Sequence, residues 1–350
     1  MSAAPLISVC IMAYNRAAVL PALLESIVVQ DYDDFEIVIC EDMSPERPAI
    51  GRVVADYTAR LPGRIRYFEN VKNLGYDANL RNVIERARGK YCLFMNNDDL
   101  LCPGAVTAVA SALKRHENIG VILRSYASFD ETPDRIKQEF RYFETERFFP
   151  AGTATIATIY RRSVVNSGMV LHREQSIKYA TDRFDGSLLY QLYLVASILT
   201  TKNAVFLPQI LALYRNGGIP DFGNSEAERG KFVPQQHTPE SSLHFMGGML
   251  DIARHVQQSQ GVQIYDLILR DIGNYSYPVM AIQADKPFTV FVRYCVGLAK
   301  LGFWKSPMFY IYCFALVMLG PERIEAFFRF VKRKLGYTPL LGKVYKGRSV

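Results

Sequence analysis

Residues 89–100 of this chain are Gly-Lys-Tyr-Cys-Leu-Phe-Met-Asn-Asn-Asp-Asp-Leu, an apolar run that ends in four polar side chains. The run from Tyr91 to Met95 contains no charged residue, which predicts a strand buried on both faces of a sheet. Asp98 and Asp99 follow it closely, and two adjacent carboxylates repel each other unless a cation lies nearby. The stretch therefore predicts a buried strand with a cation-binding turn at its end.

Short apolar runs on both sides of this stretch alternate with segments of helical periodicity. This alternation predicts right-handed crossovers and a Rossmann-like α/β fold, with a mostly parallel central sheet and flanking helices. Patterning is weakest over residues 124–180. The further strands are predicted at residues 6–12, 35–40, 65–69, 119–123 and 204–207, and the helices at 46–60, 77–88, 103–116 and 186–200.

Polar residues fall at the predicted ends of three strands. In open parallel sheets, ligands bind outside the carboxyl ends of the strands. Asn15, Asp42 and the cluster 96–99 all lie at such ends, so we expect them to share one site. Three purely structural alternatives stay open, because Asn15, Asp42 and Asp99 are each also suited to cap a following helix.

No glycine-rich phosphate loop of the GxGxxG or P-loop type follows the first strand, which disfavours a nicotinamide or ATP site. Phosphate binding would then fall to a metal ion or to basic side chains, and Arg215 is one candidate. Carboxylate oxygens suit a hard divalent cation such as Mg²⁺ or Mn²⁺, which commonly bridges protein carboxylates and phosphates.

Four segments together resemble family 2 glycosyltransferases of the GT-A fold, of the bacterial cell-surface polysaccharide or O-antigen type. They match the opening strand and turn, the carboxylate after the second strand, the N-x-G loop, and the segment that ends in the D-x-D-D pattern. Their order and spacing agree with the family over about residues 5 to 125. The segments are residues 7–16, 41–42, 73–82 and 89–100.

The resemblance implies a role for each matching residue. The implied donor nucleotide-binding residues are Ala13, Tyr14, Asn15, Asp42, Asn73 and Asn97, and the implied ligands of Mg²⁺ or Mn²⁺ are Asp98, Asp99 and Asn96. This chain departs from the family pattern at Asn96, where the first Asp of the D-x-D motif is usual. The departure removes one charge and predicts either weaker metal affinity or a contact to the sugar.

Inverting transfer requires a general base that takes the proton of the acceptor hydroxyl. In the family this is usually an Asp at the start of a helix, after a segment that Asn166–Arg173 resembles. The usual Glu-Asp pair is absent here, and we predict Asp185 first and Asp182 second as the base. The alternative is that both are ordinary loop or capping residues.

The sequence divides by composition into three parts. We predict a GT-A nucleotide-sugar-binding and catalytic domain at residues 1–215, a flexible loop or linker at 216–240, and a helical, aromatic and basic region at 241–350. The net charge of +7 and the aromatic and basic C-terminal region favour contact with a membrane surface. A helical subdomain whose aromatics pack on the main domain is the alternative, and no nucleic-acid-binding motif accompanies the charge.

The six cysteines form no CxxC pair, and no signal peptide is evident, so we expect a cytoplasmic enzyme peripheral to the inner face of the cell membrane. With the resemblance, these features imply an inverting glycosyltransferase, a hexosyl- or deoxyhexosyltransferase. It would use a nucleotide-diphosphate sugar donor and a lipid-linked or oligosaccharide acceptor. A sugar-phosphate nucleotidyltransferase and a non-catalytic nucleotide-sugar-binding module are the alternatives.

Overall fold

The strands of the protein form one extended sheet and one small hairpin. The computed structural model describes residues 4–217, 221–335, 338–340 and 343–345, with side chains as far as Ile324. The strands are β1 Ile7–Ala13, β2 Phe35–Glu41, β3 Ile65–Glu69, β4 Tyr91–Asn96, β5 Leu100–Leu101, β6 Ile119–Phe129, β7 Ile136–Phe140, β8 Arg147–Phe149, β9 Val170–His172, β10 Asn203–Arg215, β11 Thr338–Leu340 and β12 Lys343–Tyr345.

Helices flank the sheet and dominate the chain after β10. The chain bends at Gly320 inside the last helix, where the residue after it is a proline and the backbone leaves the helical region. The helices are α1 Leu20–Val28, α2 Arg47–Arg60, α3 Tyr76–Arg86, α4 Ala105–Arg115, α5 Thr153–Ile159, α6 Arg173–Lys178, α7 Tyr190–Ile198, α8 Pro239–Gln260, α9 Tyr265–Asn274, α10 Tyr277–Ala281, α11 Phe288–Lys300 and α12 Pro307–Leu335.

The sheet is mixed and mostly parallel, which confirms the predicted α/β architecture. Its main path runs β3-β2-β1-β4-β9-β6-β10-β5, with β7 on β6 and β8 on β10. β1 pairs in parallel with β2 and β4, β2 with β3, and β6 with β10, whereas β9 is antiparallel to both β4 and β6. The parallel pairing places the carboxyl ends of β1, β2 and β4 side by side.

Alternate residues of the central strands feed two apolar cores, one on each face of the sheet. In β1, Val9 and Ile11 pack with residues of α1, α2 and α4, whereas Cys10 and Met12 face α3 and α7. Strands buried on both faces read as continuous apolar runs, which is why β1 and β4 carry no charged side chain inside them. The core that contains Cys10 and Met12 continues into α8 to α12, so the C-terminal helices pack on the sheet domain.

Several predicted elements differ from the observed ones. The strand predicted at 119–123 continues to Phe129, and the strand predicted at 204–207 continues to Arg215, so both reach the functional edge of the sheet. The prediction that Asn15 caps α1 is wrong, because α1 begins at Leu20 without a side-chain cap and the Asn15 amide contacts Asp221 instead.

The domain boundaries predicted at residues 215 and 241 stay a prediction, but the chain between them packs against the rest of the protein. Among the described residues of the segment 216–238, there is no helix and no strand. The segment approaches two glycines closely: a Cβ on Gly75 would lie 2.4 Å from the side-chain oxygen Ser225 Oγ, and one on Gly186 would lie 2.0 Å from the Ala227 backbone carbonyl oxygen. The described part of the segment is therefore packed against α3 and the turn before α7.

The C-terminal aromatic residues divide between the core and the surface. The described residues hold no helix long and apolar enough to span a bilayer. Phe291, Tyr294, Phe303, Phe309 and Tyr312 are buried, as the packing alternative predicted. Other large apolar side chains are exposed on α11, α12 and the turn between them: Phe288, Val292, Val296, Trp304, Tyr310, Ile311, Phe314, Val317, Met318 and Leu319. The basic and aromatic residues predicted after Ile324 lie outside the described side chains.

Candidate functional site

A pocket of about 340 Å³ lies at the carboxyl ends of β1, β2 and β4. We call it the polar pocket and divide its lining into two walls. The strand-end wall comprises Met12, Ala13, Tyr14, Arg16, Asp42, Asn73, Gly75, Tyr76, Asn79, Asn96, Asn97 and Asp98, and the loop wall comprises Leu188, Gln191, Asp221, Phe222, Glu228 and Phe245. Val164, Val165, Asn166, Tyr214 and Arg215 complete the lining.

The turn after β1 is joined to the turn after β4 by side-chain hydrogen bonds. Asn97 Nδ2 donates to the carbonyl oxygens of Asn15, at 2.8 Å, and of Tyr14, at 3.4 Å. Asn15 and Arg16 both have positive φ, at 52° and 64°, which is uncommon for residues other than glycine. The Asn97 amide therefore stabilises a strained turn that presents Tyr14 and Arg16 to the pocket.

Asp42 is anchored by the loop that leads into α3. Its carboxylate accepts hydrogen bonds from Asn70 Nδ2 at 2.8 Å, Leu74 N at 2.8 Å and Gly75 N at 2.9 Å. Burial raises the pKa of Asp42 to about 6, although these hydrogen bonds act in the opposite direction. Asp42 thus joins the end of β2 to the N-x-G loop and still lines the pocket.

Asp98 forms an ion pair with the Arg16 guanidinium inside the polar pocket. Arg215 Nε donates to the Asp98 backbone carbonyl at 3.1 Å, so a second guanidinium lies on the same side. Burial raises the pKa of Asp98, and the charges of Arg16 and Arg215 lower it in part. The pocket therefore places one carboxylate beside two permanent cations.

Asp99 is buried behind the pocket rather than in its lining. It accepts hydrogen bonds from Asn96 Nδ2 at 3.2 Å, from Ser167 Oγ and from Arg215 N at 3.0 Å. Burial and the neighbouring Asp98 raise its pKa to about 7. Both carboxylate oxygens are therefore engaged in holding the turn 96–99 against β10.

The residues present fit a divalent ion that arrives with a phosphate-bearing ligand. The described residues hold no group of three His, Cys, Asp or Glu side chains that would bind an ion unaided. Mg²⁺ and Mn²⁺ need only one or two protein carboxylates when substrate phosphates and waters supply the other oxygens. Asp98 lines the pocket and supplies one such carboxylate.

The two predicted bases lie outside the lining of the polar pocket. The Asp185 carboxylate forms a two-pronged ion pair with Arg81, with both N–O distances at 2.8 Å. Asp182 is exposed to solvent. The structure thus brings together Ala13, Tyr14, Asp42, Asn73, Asn96, Asn97 and Asp98 in one pocket, with Asn15 and Asp99 bonded behind them.

The loop wall contains polar residues that sequence reasoning missed. Glu228 accepts hydrogen bonds from Tyr76 N at 2.8 Å and from Gly223 N at 2.9 Å, and so ties the segment 221–238 to the start of α3. Gln191 Nε2 donates to the Val164 carbonyl at 2.9 Å. Within the described part of the chain, the buried Gln191 Oε1 has no hydrogen-bond partner. It is therefore available to a donor group in the pocket.

A buried carboxylate fixes the turn that carries Leu188 into the loop wall. Asp77 accepts hydrogen bonds from the backbone N–H groups of Ser187, Leu188 and Tyr190, all between 2.8 and 2.9 Å. Leu188 has a φ of 63°, a conformation that branched side chains rarely adopt. Burial raises the pKa of Asp77 to about 7. A helix-starting Asp that sits 110 residues before its partners has no local sequence signal for this role.

The arrangement matches a known family. Residues 8–177 match the model of glycosyl transferase family 2, which spans β1 to α6 and the entire strand-end wall. This part of the chain belongs to glycosyltransferase family 2. The match ends before the loop wall, so the family assignment covers the strand-end wall of the pocket and strands β1 to β9 but not β10.

Curated relatives of the family 2 domain resemble it over limited lengths. The putative glycosyltransferase EpsE of Bacillus subtilis is 29% identical over 131 residues, which are 37% of this chain and 46% of that protein. An uncharacterized glycosyltransferase of Haemophilus influenzae is 34% identical over 33% of this chain and 37% of its own length. The uncharacterized protein y4gI of Sinorhizobium fredii is 32% identical over 39% of this chain but only 15% of its own. The chain thus spans less than half of each.

Two solved structures share the fold over most of the chain. TarS 1-349 of S. aureus, solved with UDP-GlcNAc, gives a TM-score of 0.58 at 15% identity and covers 84% of this chain and 80% of that one. The mannosyltransferase PcManGT of Pyrobaculum calidifontis, solved with GDP-Man and Mn²⁺, gives 0.51 at 13% identity, with 91% and 88% covered. At these identities the likeness establishes the GT-A fold.

Proposed function

We propose that this family 2 protein is an inverting glycosyltransferase that moves a hexosyl or deoxyhexosyl group from a nucleotide-diphosphate sugar to a lipid-linked glycan in bacterial surface-polysaccharide synthesis. The observation that carries the proposal is the meeting of Asp42 and Asp98 in one polar pocket together with Arg16 and Arg215. Solved relatives of the fold carry UDP-GlcNAc and GDP-Man, which are donors of this class.

In this proposal the strand-end wall binds the nucleotide. Tyr14 and Ala13 border the base, while Asp42, Asn73 and Asn97 position the base and ribose. Asp42 already accepts three hydrogen bonds. It therefore acts chiefly by holding the N-x-G loop against the nucleotide, with its remaining lone-pair capacity directed to the ligand.

Asp98 receives the diphosphate end of the donor, with Arg16 and Arg215 beside it. A bound Mg²⁺ or Mn²⁺ would be held by Asp98 and the phosphate oxygens and would neutralise the leaving diphosphate. Asn96 and Asp99 support the metal ligand, since the Asn96 amide donates to Asp99. With or without a bound metal ion, the guanidinium groups of Arg16 and Arg215 bind phosphate oxygens through directional N–H groups.

Gln191 is placed to contact the sugar. Its Oε1 is buried and without a partner among the described residues, and the side chain lines the polar pocket. A sugar hydroxyl that donates to this oxygen would satisfy a buried acceptor that otherwise costs about 1–3 kcal/mol. Asn166, whose Nδ2 donates to the Tyr76 hydroxyl at 2.9 Å, fixes the neighbouring aromatic ring.

The general base is assigned to Asp185, with Asp182 as the second choice. To take the proton of the acceptor hydroxyl as it attacks the anomeric carbon, the Asp185 carboxylate would have to leave the Arg81 guanidinium, because that ion pair lies outside the pocket lining. Asp185→Asn should abolish transfer and leave nucleotide affinity unchanged, and Asp221→Asn, on the loop wall, is the matched comparison. Loss of transfer only in the Asp221 variant would move the base to the loop wall.

Membrane contact is assigned to the exposed apolar face of α11 and α12. Phe288, Val292 and Val296 recur at every fourth residue and therefore form one stripe on α11. Arg293, Lys300 and Lys305 are exposed in the same region, which suits an interface with anionic lipid. Sedimentation with anionic vesicles should bring down the wild type and leave a Phe288→Asp, Phe314→Asp variant in solution. Equal sedimentation of both would contradict this assignment.

The alternative function, a non-catalytic binding module, is favoured by two features: Asn96 replaces the usual first Asp of the D-x-D motif, and Asp185 is ion-paired with Arg81. Donor turnover separates it from the enzyme. We expect release of nucleoside diphosphate from a matching nucleotide sugar, stimulated by Mn²⁺, and a product of inverted anomeric configuration by NMR. Nucleotide binding without any turnover in the presence of membrane lipid extract would favour the binding module.

A further inference from the structure

A second pocket of about 270 Å³ lies beside the polar pocket and is lined mainly by carbon atoms. We call it the apolar pocket. It shares three wall residues with the polar pocket: Leu188, Phe222 and Phe245. The remaining lining residues are Phe232, Val233, Gln236, His237, Ser241, Ser242, Met246, Val279 and Ile282.

The shared wall is built from side chains that are held in place. The Phe222 ring packs edge-on against Tyr76 of the polar pocket, at 6.0 Å, and against Phe232 of the apolar pocket, at 6.5 Å. Leu188 is held by the hydrogen bond from its N–H to Asp77. The two pockets therefore adjoin along a shared wall of two aromatic rings and one leucine.

The hydroxyl groups in the apolar pocket are already engaged with the protein. The Ser241 hydroxyl hydrogen-bonds that of Thr238 at the start of α8, and Ser242 Oγ accepts from Gln283 Nε2 at 2.9 Å. The two other polar residues of the lining, Gln236 and His237, are exposed. A glycan deeper in the pocket would therefore leave most of its hydroxyls facing carbon, which costs free energy for each unpaired group. A hydrocarbon chain carries no such penalty and gains from burial.

Two apolar residues of the pocket lining are themselves exposed to solvent. Ile282 and Val233 both line the pocket, and their side chains are 51% and 42% exposed, so they form its mouth. Phe288, six residues after Ile282 and 65% exposed, begins the apolar stripe of α11. A chain leaving the mouth would thus meet the face assigned to the membrane.

We propose that the apolar pocket binds the first hydrocarbon units of the lipid chain of the acceptor. The inference rests on the proposed function, since it supplies the lipid-linked acceptor with a site next to the donor. Because the two pockets share a wall, the head group of such an acceptor lies at the polar pocket while its tail occupies the apolar pocket and continues over Ile282. The pocket therefore selects acceptors by the chain that carries the glycan.

Calorimetric titration of the full chain with isoprenoid phosphates of increasing length tests the proposal, with isopentenyl phosphate, geranyl phosphate and inorganic phosphate as probes. Affinity should rise at least about tenfold from isopentenyl to geranyl phosphate, because five further carbons are removed from water. Ile282→Asp and Val233→Asp should each lower the affinity for geranyl phosphate about tenfold. Ile177→Asp is the matched control, since Ile177 is 38% exposed on α6 and lines neither pocket.

Nucleoside diphosphate titrations on the same variants separate this inference from the proposed function. We expect unchanged nucleotide affinity in all of them. Equal affinities for the isopentenyl and geranyl probes, or an equal loss in the Ile177 control, would overturn the apolar-pocket proposal while leaving nucleotide binding intact. Failure of every nucleotide to bind the wild type would instead overturn the proposed function. Tighter binding of a methyl glycoside than of geranyl phosphate, sensitive to Ile282→Asp, would assign the pocket to a sugar ring.

Discussion

The two walls of the polar pocket are built in different ways. The strand-end wall consists of turns at the ends of β1, β2 and β4, which are joined to one another through Asn97, Asp42 and the backbone of the N-x-G loop. The loop wall combines four residues of irregular chain with one residue each from α7 and α8, Gln191 and Phe245. A few long-range contacts to Asp77 and to Gly75 hold its irregular part. Three of its six side chains are apolar, and the other three are Gln191, Asp221 and Glu228.

From this difference we expect the two walls to bind different parts of the ligands. Charged and amide groups on rigid strand ends suit a diphosphate and a nucleotide. Loops tolerate sequence variation better than strand ends, and in the proposed function the loop wall contacts the sugar and the acceptor. Changes to the strand-end wall should therefore affect all donors, whereas changes to the loop wall should affect the choice of sugar and acceptor.

The largest effect is expected in the strand-end wall. Asp98→Asn removes the only charge of that turn that lines the pocket, and we expect at least about a hundredfold loss of transfer. Initial rates over a Mn²⁺ series measure it, with Asp33→Asn as the control because Asp33 is an exposed partner of Arg64. A rate within threefold of wild type would remove Asp98 from the mechanism.

The attachment of the loop wall can be broken at Gly186. Gly186 and Gly63 have nearly the same φ, 80° and 81°, but an added Cβ meets Ala227 O at 2.0 Å in the first and nothing within 4 Å in the second. Gly186→Ala should therefore cost about 2 kcal/mol more than Gly63→Ala and weaken donor-sugar binding, because backbone must move. Urea unfolding of the pair measures it. Equal losses of unfolding free energy in the two variants would show that the 221–238 segment moves away from residue 186 at little cost.

Asp77 allows the loop wall to be tested by pH. Its pKa is about 7 when folded against about 4 when unfolded, so its stabilising contribution is complete below pH 4 and is lost as the pH rises through 7. Asp77→Asn removes this titration and leaves fewer acceptors for three N–H groups, at a cost of about 1–3 kcal/mol. Unfolding free energies from pH 4.5 to 8 should fall less steeply in the variant. If the unfolding free energies of wild type and Asp77→Asn changed with pH in parallel, the raised pKa assigned to Asp77 would be contradicted.

The smallest effect is expected at Gln191. Gln191→Leu keeps the bulk of the side chain but removes the unpaired Oε1, so affinity for the nucleotide sugar should fall about tenfold while affinity for the bare nucleoside diphosphate stays constant. Paired titrations with the two ligands measure the difference. An equal loss for both ligands would place Gln191 on the nucleotide rather than the sugar.

Sequence patterns predicted the strand-end wall because its parts follow from local rules. Buried parallel strands are continuous apolar runs, and their polar ends converge whatever the loops do, so Asp42 and Asp98 could be placed together from the chain alone. The loop wall depends on contacts such as Tyr76 to Glu228, which are 152 residues apart. The positive φ of Leu188 and the ion pair of Asp185 with Arg81 arise from the same long-range packing, and no periodicity in the sequence predicts them.

The central claim is that the strand-end wall binds the diphosphate of a nucleotide through Asp98 beside Arg16. Calorimetric titration of UDP, GDP, dTDP and CDP with Mn²⁺ into wild type and Asp98→Asn tests it most directly. The account predicts saturable binding of one of these nucleotides to the wild type, with the Mn²⁺ dependence lost in the variant. Wild-type affinity and Mn²⁺ dependence retained in Asp98→Asn would contradict it.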